Sequence, residues 1–415
     1  MKRLFIIISF VIIALYLHAQ NNLLLETPDS TGYSVSFNSL LVTSTNGFNK
    51  NFIQAVNQSN YLSDNLKSSN PIKEHNYIQY HLNEEISLYR MNDSLFGMEK
   101  MGYHFGISYQ QLFTSAFNKD LYNLIAFGNK NYAGKEAHLS QSLFQYFDYG
   151  TLSVGLFKVF EDENTLTKAI FDFNLHAFKD IQYLYIPNAS LYTADDGSYV
   201  NLKLQGKYQA KSENRNFNIP GISFNAGISL FNKSSQTRFS FLIKQLGVVF
   251  LNKKSYHAAI DTMVHYEGIQ IENIISNPQY NSGMLSNDSI SAIYNHHLDT
   301  SSSVLSLPET MAFSMNQVFD NKFFSDLNIG ISYPFRTKLK SPEFFISQSI
   351  KINPKLKFAI GSTVGGYTSI SPFLNAELMF NKSAIIFMHL ANPLSYLVKD
   401  YPYNTTILLS VKLCW

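Results

Sequence analysis

Hydrophobic and polar side chains alternate with a period of two along much of the chain. Between Leu202 and Gln209, leucine, glycine and tyrosine occupy one set of alternate positions, and lysine and glutamine occupy the other. The segments 222–230, 238–244 and 344–361 repeat the alternation with different residues. A period of two predicts β-strands, and these faces suit a wall between an apolar medium and water.

The last nine residues continue this pattern and end on an aromatic side chain. One face carries Ile407, Leu409, Val411, Leu413 and Trp415. A strand that ends on an aromatic residue is typical of outer-membrane β-barrels, whose last strand closes the wall at the membrane interface. The alternative is an ordinary edge strand at the end of a soluble sheet. We predict that these five residues close a barrel and act as its assembly signal.

Short and long links alternate between the predicted strands of the C-terminal half. The short, turn-rich links are 232–235, 320–322, 353–355 and 381–383, and the longer ones are 252–306, 335–342, 365–370 and 391–402. Outer-membrane barrels have short periplasmic turns and longer external loops. The sequence therefore predicts an all-β protein, a transmembrane antiparallel β-barrel of about fourteen strands, within a range of about 12 to 16. Trp415 is expected at the periplasmic rim.

Polar faces of the predicted strands are expected to point into the lumen. The residues assigned to this surface are Lys203, Gln205, Lys207, Gln209, Arg238 and Lys244. A wet lumen accepts such side chains, whereas a packed sandwich core does not.

The N-terminal region divides the chain into three predicted parts. Residues 1–20 have the basic start, apolar run and small-residue end of a secretory signal peptide. Residues 21–74 alternate poorly and are interpreted as a periplasmic segment or a lumenal plug, and residues 75–415 as the barrel. Apolar residues at helical spacing between 118 and 127 predict one short helix.

Composition and charge agree with a barrel in the cell outer membrane. Aromatic residues make up 15% of the chain and charged residues only 15%, compared with about 25% charged in soluble domains. Without Lys2 and Arg3, the 32 basic residues become 30 and match the 30 acidic ones. This balance gives no reason to expect a nucleic-acid partner. The single cysteine, Cys414, cannot form an internal disulfide.

Candidate catalytic, cofactor and metal motifs are weak. The segment 128–135 resembles a phosphate-binding loop, but five residues separate its glycines and Glu136 stands where serine or threonine is needed. His296 and His297 are adjacent and would point to opposite faces of a strand. We therefore predict no catalytic residues, no metal, no cofactor and no enzyme activity. Barrel enzymes remain the third alternative.

Several segments resemble an uncharacterised family of Bacteroidota outer-membrane β-barrel proteins. They are Phe127–Lys135, Gly150–Lys158, Ser190–Gly197, Ile243–Gly247, Tyr266–Ile269 and Ser306–Pro308. The resemblance implies a barrel similar in style to long-chain fatty acid transporters. It supplies no substrate and no catalytic residues, and the family's N-terminal Asn-Pro-Ala-type segment has no counterpart here.

Two functional hypotheses follow. The first is a channel or porter for small or hydrophobic solutes, marked by a lumenal pocket or a lateral opening in the wall. The second is a non-transporting structural or interaction barrel that serves surface secretion, adhesion or motility machinery. Expected partners are outer-membrane lipids, the barrel assembly machinery and, through the loop 252–306, a surface protein.

Overall fold

In the computed structural model, the chain forms a closed antiparallel β-barrel of 14 strands. The residues described are 32–58, 61–211, 219–253, 255–267, 299–321, 323–335, 342–366, 368–381, 383–393, 395 and 402–415. Both the predicted architecture and the predicted strand number are confirmed. The predicted signal peptide, 1–20, lies outside the described residues.

The 14 wall strands are assembled from shorter segments in order around the barrel. The segments are β1 Gly32–Asn49, β2 His75–Leu95, β3 Met98–Asn118, β4 Lys135–His138, β5 Ser142–Glu161, β6 Thr165–Thr193, β7 Val200–Ala210, β8 Ile219–Asn232, β9 Thr237–Leu251, β10 Tyr256–Tyr266, β11 Asp299–Thr300, β12 Ser303–Ser306, β13 Glu309–Val318, β14 Phe324–Phe335, β15 Glu343–Asn353, β16 Leu356–Gly365, β17 Thr368–Asn381, β18 Ala384–Ala391 and β19 Pro402–Cys414. Three wall strands are interrupted and consist of β7 with β8, β9 with β10, and β11 and β12 with β13. The short β4 pairs with the far end of β6 outside this count.

The first and last strands close the barrel. β1 pairs with β19 in one register from Ser34 opposite Cys414 to Ser44 opposite Asn404. Beyond this register, Tyr33 and Trp415 exchange two backbone hydrogen bonds of 2.8 and 3.0 Å. Their rings stack with centroids 6.1 Å apart.

The predicted boundary at residue 75 is wrong, because β1 is a full member of the wall. β1 lies between β2 and β19, so residues 32–49 are neither a periplasmic segment nor a plug. The polar residues that obscured the alternation, Ser34, Ser36 and Asn38, are buried on its inner face. Serine and asparagine are also common in loops, and for this reason the sequence pattern of β1 did not predict a strand.

One end of the barrel, which we name the turn end, carries short links between strands, and the other, the loop end, carries the longer ones. The four predicted short links all lie at the turn end. At the loop end, the predicted loop 252–306 is partly wrong, because 256–266 and 299–306 contain β10 to β12. The link predicted at 365–370 is shorter, since β16 ends at Gly365 and β17 begins at Thr368.

Three short helices connect strands at the loop end. They are α1 Lys50–Asn57, α2 Asp64–Ser68 and α3 Lys119–Phe127, and α3 matches the predicted helix. The Tyr122 hydroxyl of α3 donates to the Lys67 carbonyl at 2.8 Å. Burial raises the pKa of Tyr122, which keeps this donor protonated. No helix in the described part of the chain is long and apolar enough to cross a membrane.

A belt of exposed apolar side chains surrounds the outer face of the barrel. It includes Phe37, Ile86, Phe105, Leu152, Phe171, Ile228, Phe241, Phe313, Ile329, Phe344, Ile360, Leu374 and Leu409. Soluble proteins rarely expose a continuous apolar surface of this extent, whereas a transmembrane barrel requires one. The outer face therefore fits the hydrocarbon region of a bilayer.

Candidate lumenal chamber

Side chains inside the barrel form levels along its axis. On β5, Phe147 and Tyr149 lie toward the loop end, Thr151 and Ser153 lie in the middle, and Phe157 lies toward the turn end. Neighbouring strands repeat this order, with apolar residues at both levels and polar residues between them. A polar compartment therefore lies between two apolar levels.

The turn-end layer is a buried cluster that lies below this compartment on one side of the lumen. Its members are Tyr89, Met91, Phe157, Val159, Ile170, Leu242 and Ala312, from five wall strands. Tyr89 is 0% exposed and Phe157 2%, although both project into the barrel. A side chain beside a water-filled pore would be accessible, so these residues pack against protein at this level.

The loop-end layer is a second buried cluster, on the β3 to β13 side of the barrel. It contains Leu112, Phe147, Tyr149, Phe178, Ile181, Ile219, Val249, Leu251, Leu305 and Leu307. Across the lumen, β17 and β18 carry polar side chains at their own loop end, where His389 lies beside Asn375. The loop end of the interior is thus apolar on one side and polar on the other.

The compartment between these levels, which we name the chamber, has a volume of about 340 Å³. This volume lies at the lower end of the range of small-molecule sites, about 300 to 1,000 Å³. It is lined by Asn38, Leu40, Val42, Ser44, Gln79, His81, Asn83, Glu85, His104, Ser108, Gln110, Thr151, Ser153, Asn174, His176, Asn225, Leu242, Lys244, Gln245, Thr310, Ala312, Glu343, Thr363, Ser371, Ala391, Asn404, Thr406 and Leu408. Leu242 and Ala312 also belong to the turn-end layer, which therefore forms the chamber floor.

A buried imidazole and carboxylate hold the chamber wall together. His104 Nδ1 lies 3.0 Å from Asp172 Oδ1. Tyr89 stacks on His104 with centroids 4.4 Å apart. The pair therefore connects β3 and β6 to the turn-end layer.

A second histidine joins three strands. His176 lies 2.9 Å from Thr151 Oγ1 and 2.8 Å from Ser223 Oγ. Contact between a serine hydroxyl and an imidazole resembles a nucleophile and its base, but a catalytic imidazole is usually oriented by a carboxylate or amide. Here the other ring nitrogen meets a threonine hydroxyl, and Ser223 is fully buried. The geometry is that of a structural contact.

Two glutamines and a tyrosine separate the chamber from the loop-end layer. The Tyr149 hydroxyl donates to Gln110 Oε1 at 2.9 Å, and Gln245 Nε2 contacts Gln110 Oε1 at 3.1 Å and the Tyr149 oxygen at 2.9 Å. Gln245 adopts a left-handed backbone conformation, with φ of 58°, at a bulge in β9. The bulge places Lys244 and Gln245, although adjacent in sequence, on the same chamber wall.

The six residues predicted to face the lumen do not form one surface. Lys244 lines the chamber, and Arg238 lies nearer the turn end, with its guanidinium 5.3 Å from the centroid of the Phe231 ring. Gln209 is buried and donates to Ser303 Oγ at 2.8 Å. Lys203 and Gln205 lie at the loop end, in an open groove also lined by Glu136, His138, Asn188, Asp261 and Met263, and the exposed Lys207 shares their strand face.

The predicted closing residues lie on the outer face of β19. Leu409, Leu413 and Trp415 are exposed there, while the alternate residues Leu408 and Ser410 are buried. Their role in assembly stays a prediction.

Sequence analysis missed the residues that form the chamber wall on β6. Asp172, Asn174 and His176 alternate with Phe171, Phe173 and Leu175 in sequence. Polar residues at i, i+2 and i+4 between aromatic and aliphatic ones are a lumenal signal of the same kind as the one used for β7. Within the described residues, no group of three or more histidine, cysteine, aspartate or glutamate side chains could hold a metal ion.

Comparison with solved structures finds outer-membrane β-barrels. The chain is similar to a TodX deltaS2S3 mutant monoaromatic hydrocarbon channel at 10% identity, covering 97% of this chain and 95% of that chain with a TM-score of 0.49. It is similar to the Pseudomonas putida toluene transporter TodX at 9% identity, covering 97% and 95% with a TM-score of 0.45. A Pseudomonas aeruginosa FadL homologue matches at 8% identity, covering 93% and 89% with a TM-score of 0.42.

No protein-family model and no curated protein matches the sequence. The Bacteroidota family therefore stays a prediction. At such low identity the structural likeness concerns the fold, so the function is argued from the side chains of this chain.

Proposed function

We propose that this protein is an outer-membrane porter that carries a small solute through the lumenal chamber. The observation that supports the proposal is a polar chamber that lies above a buried apolar layer at the turn end of the barrel. A structural barrel has no need of a solute-sized polar cavity in its lumen. We place the turn end in the periplasm and the loop end outside the cell, because short turns are typical of the periplasmic side.

The buried layer at the turn end favours a porter over an open pore. A solute in the chamber meets the turn-end layer before it can leave toward the periplasm. Release therefore requires Tyr89, Phe157 or their neighbours to move. We expect low solute flux through the resting barrel.

Solute entry into liposomes that contain the purified barrel tests this proposal. Phe157→Ala opens the turn-end layer, and we expect it to increase the entry of small solutes several-fold. Phe171→Ala is the matched control, because Phe171 is about half exposed on the outer face of the neighbouring strand. The different migration of boiled and unboiled samples in detergent gels verifies that both variants fold.

Two results would contradict the porter. One is an absence of solute entry through both the parent barrel and Phe157→Ala, with both folded. The other is an equal increase for Phe157→Ala and Phe171→Ala, which would indicate leakage around a damaged barrel. Either result favours a structural or interaction barrel.

A further inference from the structure

We propose that the chamber selects a small, uncharged solute rich in hydroxyl groups, of the size of a simple sugar. This inference rests on the porter function and concerns the chemistry of the cargo. It sets this barrel apart from channels whose cargo is a hydrocarbon.

Amide and hydroxyl side chains dominate the chamber. Of the 28 described residues that line it, eight are asparagine or glutamine and eight are serine or threonine. Both kinds of side chain donate and accept hydrogen bonds, as each hydroxyl of a sugar does. A hydrocarbon would desolvate these groups without replacing their hydrogen bonds, which is unfavourable.

Charged side chains are few in the chamber. Lys244 lies among the lining residues with two carboxyl groups, those of Glu85 and Glu343. Ser87 donates to Glu85 Oε1 at 2.7 Å, and the nearby Asp172 is engaged by His104. A site for an ion concentrates charges of the opposite sign, whereas the carboxyl groups here share the chamber wall with a lysine and have hydroxyl and imidazole partners.

Asn174 contributes an amide group to the chamber wall. Asn174 donates through Nδ2 to Ser223 Oγ at 3.1 Å. Its Oδ1 atom is buried and has no hydrogen-bond partner within the part of the chain that the structure describes. Buried polar atoms almost always have a partner, so this oxygen is suited to accept a hydrogen bond from a hydroxyl group of the cargo.

Polar groups separate the chamber from the apolar loop-end layer. The hydrogen bonds between Gln110, Tyr149 and Gln245 place amide groups between the chamber and the loop-end layer. Apolar contact remains at the floor, where Leu242 lies, and on the β1 and β19 side of the wall, where Leu40, Val42 and Leu408 lie. Such a floor suits the C–H face of a sugar ring, and the amides suit its hydroxyls.

Entry of four solutes of similar size into liposomes that contain the full-length barrel tests the inference. The probes are glucose, gluconate, glucosamine and benzenesulfonate, which differ in charge and in hydroxyl content. We expect glucose to enter about tenfold faster than gluconate or benzenesulfonate, a ratio equivalent to about 1.4 kcal/mol. Glucosamine should enter more slowly than glucose.

Two variants of Asn174 test its role in selection. Asn174→Leu removes the acceptor and should decrease glucose entry about tenfold without decreasing benzenesulfonate entry. Asn174→Asp keeps an acceptor and adds a negative charge, so it should increase the ratio of glucosamine entry to gluconate entry. The matched control is Asn188→Leu, because Asn188 hydrogen-bonds Gln205 in the loop-end groove, outside the chamber.

The possible outcomes distinguish a failure of the cargo inference from a failure of the proposed porter function. If gluconate or benzenesulfonate enters as fast as glucose, the cargo inference is wrong and the porter stands. If Asn174→Leu and Asn188→Leu behave alike, the chamber does not select. If no probe enters through either the parent barrel or Phe157→Ala, the porter fails and the inference fails with it.

Discussion

At the scale of single residues, His104 and Asp172 form a buried pair of ionisable side chains in the chamber wall. Their side chains are 2% and 0% exposed. A buried carboxylate that loses its partner costs about 3 to 5 kcal/mol, because its desolvation is no longer compensated. The pair therefore stabilises the contact between side chains on the inner faces of β3 and β6.

We predict that His104→Ala destabilises the barrel by about 3 kcal/mol or more. Asp172→Asn should cost less, because an amide still hydrogen-bonds the imidazole without leaving a buried charge. The measurement is the temperature at which the folded band disappears in a detergent gel. The control is His265→Ala, because His265 is exposed beside Glu267. Equal melting temperatures for His104→Ala and His265→Ala would contradict the prediction.

At the scale of strands, aromatic rings on the inner face lie over glycines of neighbouring strands. Phe157 lies over Gly102, Phe345 over Gly330 and Phe373 over Gly361, and a Cβ atom at any of these glycines would overlap the ring. Such contacts let a large ring lie flat along the wall of a curved sheet. Gly102 thereby positions Phe157 within the turn-end layer.

We predict that Gly102→Val displaces Phe157 and increases solute entry, as Phe157→Ala does. A Cβ at Gly102 would also overlap the Arg90 carbonyl oxygen, so part of the cost comes from the backbone. Adding Phe157→Leu to Gly102→Val should therefore recover some of the lost thermal stability but not all of it. If the double variant is less stable than Gly102→Val, the ring is not the residue displaced.

Strand identity could be predicted from the sequence, whereas strand position along the axis could not. The period of two assigned Lys203, Gln205 and Lys244 to the lumenal side of their strands. Only Lys244 reaches the chamber, because β7 pairs with the loop-end part of the 29-residue β6. A period of two predicts which face of the strand a residue lies on, but it does not predict the position of that residue along the barrel axis.

The strand β10 shows a second limit of sequence reasoning. Its residues pair along their whole length with β7, from Tyr256 opposite Ala210 to Tyr266 opposite Val200. This long-range pairing, which the sequence does not reveal, makes the segment a strand. The chamber could not be predicted from the sequence for the same reason, because β1, β3, β6 and β9 meet there only when the barrel closes.

At the scale of the whole molecule, the barrel is tall on one side and short on the other. β6 has 29 residues and β18 has eight, while about 9 to 11 tilted residues cross a bilayer. The tall side carries α3, β4 and the loop-end groove beyond any membrane level. The chamber therefore lies beneath an asymmetric rim, whose tall side has a polar surface.

The pairing between β1 and β19 closes this barrel, and Trp415 extends that pairing by one residue. Deletion of Trp415 removes both backbone hydrogen bonds with Tyr33 and the stacked ring. Tyr33 also lies under the Arg90 guanidinium, 4.6 Å from the centroid of the ring, so the loss would extend into β2. The chamber residues lie farther along the strands, so their geometry should survive in any barrel that closes.

We therefore predict that deleting Trp415 decreases the amount of folded barrel in the outer membrane, with little effect on solute entry per folded barrel. Trp415→Phe is the matched control, because it keeps the backbone pairing and an aromatic ring at the interface. The measurement is the amount of heat-modifiable protein in isolated membranes, followed by solute entry at equal barrel content. Normal amounts of the truncated protein would show that closure does not depend on this residue. Normal amounts together with altered solute entry would instead place Trp415 in the transport path.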